Sequence, residues 1–122
     1  MTPQASGPEP RMSPAIIDGV FRALSDPTRR DVVARLGARS ATVSDLAATY
    51  DMALPSFMEH LKILERSGVV RSHKTGRVRT YELVPKQLKV AENWLAKQRT
   101  LWERRLDQFD SYVMAMKQET EK

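Results

Sequence analysis

Leu88, Leu95, Trp102, Phe109 and Met116 recur at intervals of seven through the C-terminal third of the chain. That interval keeps them on one face of an α-helix, with Ala91, Leu106 and Val113 filling in beside them. Trp94, Leu101 and Tyr112 form a second stripe on the adjacent flank. Pro85 opens the segment, as proline can in a first helical turn, so a helix is predicted over about 86–118. Roughly thirty helical residues span about 45 Å. The whole chain has 122 residues, enough for one small domain. One face of the helix must therefore meet something beyond its own core.

The N-terminal residues 1–12 are rich in Pro, Ser, Gly and Thr and read as a disordered tail, leaving 13–118 as the folded domain. Ser13-Pro14 is a helix start, and Ile16, Ile17, Val20, Phe21 and Leu24 follow at helical spacing. Ser25-Asp26-Pro27 ends that helix and caps the next, which carries Val32, Val33 and Leu36 inward and is expected to stop at Gly37. A short helix begins at Thr42, with Asp45 in the place of a capping-box acid, and closes near Tyr50. A fourth spans Leu54 to Arg66: Leu54, Phe57, Leu61 and Leu64 share a stripe, and Gly68 ends it. Then the period changes. Val69–His73 and Val78–Leu83 are β-rich runs around Lys74-Thr75-Gly76-Arg77, which predicts a hairpin.

The formal charge is +5, and residues 54–80 hold six cations against two carboxylates, so most of the excess lies there. A focused basic stretch suits nucleic acid or an acidic surface. No helix pairs a cationic face with an exposed aromatic one, which argues against a membrane surface. The opening residues contain no signal-like apolar run, and the expected location is the cytoplasm. There is no cysteine, and the two histidines, His60 and His73, have no partner at ligand spacing, so no metal or other cofactor is expected. Asp26 and Asp45 sit where helix caps belong, while Asp107 and Asp110 lie among Arg104 and Arg105. With no phosphate loop or nucleophile–base set, an enzyme is not expected.

Three helices, a tight turn at Asp51-Met52-Ala53, a fourth helix and a basic hairpin make a helix-turn-helix followed by a wing. A helix fits the major groove of B-DNA, and a cation-tipped hairpin can reach neighbouring phosphates. Burying Phe57, Leu61 and Leu64 turns Ser56, Glu59 and Ile63 outward, and the first turn, with Pro55, Ser56, Met58 and Glu59, would enter the groove. His60, Lys62, Arg66, Lys74, Arg77 and Arg79 complete the expected DNA-contacting set.

The stretches "ALSDPTRRDVVARL", "TVSDLA", "LPSFMEHLKILERSGVV" and "GRVRTYEL" together resemble the ArsR-type winged helix-turn-helix transcriptional regulators, over about Val20 to Leu83. The terminal "AENWLAKQRTLWERRLDQFDSYV" is similar to members that lack metal ligands. The resemblance implies a mainly α fold with a small β-hairpin, dimerising through its N- and C-terminal helices, and a homodimer that binds operator DNA and usually represses. Ile17, Phe21, Leu95, Trp102, Leu106, Phe109 and Val113 would then form the dimer interface. Whether a small-molecule effector is sensed stays open.

Two positions depart from the family pattern, where Ser commonly stands at Met58 and a basic or polar residue at Glu59. Glu59 can accept from cytosine N4, with Met58 on a thymine methyl. Equally, it can pair with Lys62 or His60 and repel non-specific DNA. The alternative function is a winged-helix protein-interaction module without specific DNA binding, which the wing cations oppose.

Overall fold

A computed structural model describes residues 14–120; the expected tail and the Ser13 cap lie outside them. In chain order the elements are α1 (Pro14–Ala23), α2 (Pro27–Ala38), β1 (Ala41–Thr42), α3 (Val43–Ala47), α4 (Leu54–Arg66), β2 (Val70–Thr75), β3 (Val78–Leu83) and α5 (Pro85–Thr120). Two units make up the chain, one ending at Ala91 and the other beginning at Glu92, so that α5 runs through both.

The first unit holds the core. Val20 and Ala23 from α1, Val32 and Leu36 from α2, Leu46 from α3, and Phe57, Leu61 and Leu64 from α4 are buried together with Val69, Val70, Tyr81 and Ala91. Asp26 caps α2: its Oδ2 accepts from the Arg29 N–H at 3.1 Å, and Pro27 follows at the first helical position. Thr42 caps α3 in the same way, accepting from Asp45 N–H at 3.1 Å. α4 ends through Ser67 and Gly68, whose φ of +80° is a left-handed conformation that favours glycine. A Cβ at Gly68 would also stand 3.0 Å from the Gln87 side chain.

Several elements differ from the sequence expectation. Gly37 does not end α2, which continues to Ala38 and closes where Arg39 turns extended and its N–H reaches the Arg35 carbonyl. A single helical glycine costs only about 1 kcal/mol, and neighbouring Leu36 is buried. α3 stops at Ala47 rather than near Tyr50. Leu54 is 55% exposed and lies outside the buried stripe of α4, which begins at Phe57. Ile63, expected outward, is half-buried against the core. The sheet has three strands in the order β1-β3-β2, all antiparallel, since Ala41 and Thr42 pair with Tyr81 and Thr80. The hairpin turn is tighter than expected: Thr75 pairs with Val78, leaving only Gly76 and Arg77 between the strands. Gly76 has φ +63° at the first central position, the requirement of a type II′ turn.

In the second unit, residues 92–120 continue α5, a helix of 36 residues in all. That length is about 54 Å at the α-helical rise. Trp102 is 61% and Phe109 62% exposed, and Leu95, Leu106, Val113 and Met116 are exposed with them. The Arg105 guanidinium lies over the Trp102 ring, 5.8 Å from its centroid.

Candidate nucleic-acid interface

The first turn of α4 leaves Pro55, Ser56 and Glu59 exposed, because Phe57 and Leu61 take the inward positions on either side of them. Phe57 is held from outside by Tyr50, whose ring stacks on it with centroids 5.3 Å apart. The Tyr50 hydroxyl donates to Asp31 of α2, and the Arg35 guanidinium sits 5.7 Å from the Tyr50 ring. Burial, followed by the Asp31 hydrogen bond, pushes the Tyr50 phenol above its usual range. The turn before α4 is thus tied to α2 by both packing and polar contacts.

Met58 does not stand free at the reading edge. Its side chain is half-buried against the core, so only part of it faces outward. Glu59 is well exposed, and its carboxylate lies 4.0 Å from Lys62 Nζ. That is within ion-pair range but too long for a hydrogen bond, and an exposed pair of this kind contributes little. Glu59 therefore keeps its acceptor capacity. Its other expected partner, His60, faces inward instead: Nδ1 is 2.9 Å from Arg29 Nη1 and 3.8 Å from Asp26 Oδ2. This places the imidazole against α2, where its hydrogen bond is to protein.

Arg29 is a residue that sequence reasoning missed. It is the one buried charged side chain among the described residues, 8% exposed. Burial of an arginine requires its donors to be used. Here Nε donates to the Ala23 carbonyl at 2.8 Å, Nη2 to the Arg22 carbonyl at 3.0 Å, and Nη1 to His60. Burial opposes ionisation of the adjacent Asp26, but the hydrogen bond from the Arg29 N–H and the Arg29 charge outweigh it and hold that carboxyl below its usual range. A depressed carboxylate stabilises the fold above its unfolded pKa of about 3.9, and the contribution disappears as pH falls through the lower folded value. Asp26→Ala should cost about 1 kcal/mol near neutrality. Urea unfolding at several pH values should show that difference shrinking below about pH 4.

On the wing, the expected cations divide into two groups. Arg71 pairs with Glu82 across β2 and β3, and that hydrogen bond holds the Glu82 carboxyl below its usual range. Arg79 donates to Ser72 Oγ at 2.8 Å, and Ser72 donates on to Glu65 of α4, also at 2.8 Å. This chain ties the wing to α4. The Lys74 and Arg77 side chains, at the tip, make no hydrogen bond or ion pair among the described residues and are exposed, as is Arg66 at the end of α4. Among the described residues no group of three His, Cys, Asp or Glu side chains could hold a metal ion.

Residues 24–73, from the end of α1 into the wing, match a family model described as a helix-turn-helix domain. The transcriptional repressor SdpR of Bacillus subtilis (strain 168) is 34% identical over 79 residues, covering 65% of this chain and 88% of that protein. The crystal structure of an ArsR family transcriptional regulator, RHA00566, is 53% identical, with a TM-score of 0.71 over 74% of this chain and 93% of that one. An ArsR-like transcriptional regulator from Rhodococcus sp. RHA1 is 30% identical, with a TM-score of 0.74 over 83% of this chain and 93% of that one.

Proposed function

This chain belongs to the ArsR family of winged helix-turn-helix transcriptional regulators, and from that membership we propose that it works as a homodimeric repressor whose two α4 helices read an operator duplex. It is a DNA-binding regulator rather than an enzyme. In this reading Pro55, Ser56 and Glu59 enter the major groove, with the outer part of Met58 beside them. Lys62, Arg66, Lys74 and Arg77 meet phosphate, and Arg79 steadies the wing. Ile17 and Phe21 of α1 and the Leu95, Trp102, Leu106, Phe109 and Val113 face of α5 meet a second copy. The same reading puts the protein in the cytoplasm with its DNA; among the described residues no helix is long and apolar enough to cross a membrane.

The carrying observation is the exposed first turn of α4 combined with a wing tip whose Lys74 and Arg77 are unpaired among the described residues. Free cations at a hairpin tip suit phosphate contact, and such contact makes binding strongly salt-dependent through counterion release. A gel-shift titration with the DNA upstream of the protein's own gene, at two salt concentrations, tests this. Affinity should drop steeply with salt. Arg77→Ala should weaken specific and random duplexes alike and flatten the salt slope by about one unit. An unchanged slope would take the wing off the DNA backbone. Salt-independent behaviour with no shift at all would favour a protein-interaction module.

A further inference from the structure

The buried Arg29 carries an inference that rests on the reading of α4 as the recognition helix: we propose that Arg29, acting through His60, is a positioning residue for sequence discrimination. Three of its nitrogens are committed in three directions. Nε and Nη2 hold the carbonyls of Ala23 and Arg22 at the C-terminal end of α1. Nη1 holds Nδ1 of His60, in the second turn of α4 beside the exposed Glu59. A guanidinium is planar and rigid, so with two bonds fixed on α1 the third restricts how far α4 can rotate about its axis.

A guanidinium only donates, so His60 Nδ1 accepts, and the compatible neutral tautomer carries its proton on Nε2. His60 is therefore a fixed acceptor on the inward flank of α4. Asp26, which caps α2 through Arg29 N–H, flanks the same imidazole and closes the joint. The joint runs from the end of α1 through α2 to the recognition helix.

Rotation of α4 has unequal consequences for the two kinds of DNA contact. Phosphate contacts through long, exposed lysine and arginine side chains tolerate a shift of a few tenths of an ångström. Base-edge contacts from short side chains such as Ser56 do not, and they carry the sequence information. Loss of the Arg29–His60 bond should therefore reduce discrimination more than it reduces total affinity.

The test compares His60→Ala with His60→Asn in the full-length chain. Asparagine Oδ1 stands close to the position of Nδ1 and can accept from Arg29; alanine cannot. The probes are the duplex that wild-type protein selects from a random pool and a scrambled version of it, at a temperature where circular dichroism shows every variant folded. His60→Ala should lower affinity for the selected duplex roughly five- to tenfold while leaving the scrambled duplex unchanged. His60→Asn should restore most of the discrimination. If His60→Ala, while folded, discriminates as well as wild type, the joint has no positioning role. Should His60→Asn lose as much as His60→Ala, the imidazole itself touches DNA and the proposal is overturned. A wild type that selects no duplex removes the reading of α4 together with this inference, and that result is distinct from either variant outcome.

Discussion

Trp102→Glu should turn a sedimenting dimer into a monomer. Trp102 is 61% exposed in the single chain, at the middle of an apolar row that includes Leu95, Leu106, Phe109 and Val113. Apolar stripes of that length are uncommon on the surface of a monomer. In a twofold dimer each copy contributes the same row, so every substitution appears twice in one interface. A carboxylate buried there loses its hydration even with Arg105 beside it, a desolvation that costs several kcal/mol per ion. Counted twice, that weakens association on the order of a thousandfold or more. Sedimentation velocity at micromolar concentration reads the outcome, with circular dichroism reporting whether the fold is retained. Wild-type protein that sediments as a monomer would remove α5 as the dimer seam. Operator affinity should fall with the dimer, because each monomer then binds one half-site without the advantage of a tethered partner.

The second large effect is expected at Glu59. Its carboxylate is exposed on α4 and is 4.0 Å from Lys62, which leaves its oxygens free to accept. With a cytosine N4 as donor, Glu59→Gln should keep the shape yet weaken the cognate duplex by about 1–3 kcal/mol at one base pair. Preference should relax at that pair and nowhere else. Were Glu59 acting by repulsion, the same substitution would tighten binding to every sequence, random DNA included. A competition assay with one operator and one scrambled duplex separates the two by sign. No change on either duplex would leave Ser56 and the exposed part of Met58 to carry the reading.

The bounds of α4 were legible because two signals agree there, a stripe read as Leu54, Phe57, Leu61 and Leu64 and Gly68 beyond the end, although Leu54 itself is exposed. The wing was legible from its β-rich runs, but its turn was drawn too wide, since Lys74 and Thr75 have neither β-branched neighbours on both sides nor burial to mark them as strand. β1 escaped because two residues carry no period, and its partners Tyr81 and Thr80 lie about forty residues away in the chain. Arg29 escaped for a different reason. A cation in a helix's first turn reads as solvated surface, and only the convergence of the α1 carbonyls and His60 on one point makes it buried. Met58 and Ile63 lie at the edges of the apolar stripe, where helical periodicity alone does not separate a half-buried position from an exposed one.

In the proposed complex two α4 helices, related by a dimer axis, read DNA sequence together. Selecting duplexes from a random pool with wild-type protein, then sequencing the enriched fraction, tests it most directly. The enriched duplexes should carry an inverted repeat bound by two chains, its half-sites about one helical turn or a multiple of it apart. A pool that enriches nothing, or that enriches a single unrepeated half-site, would contradict it.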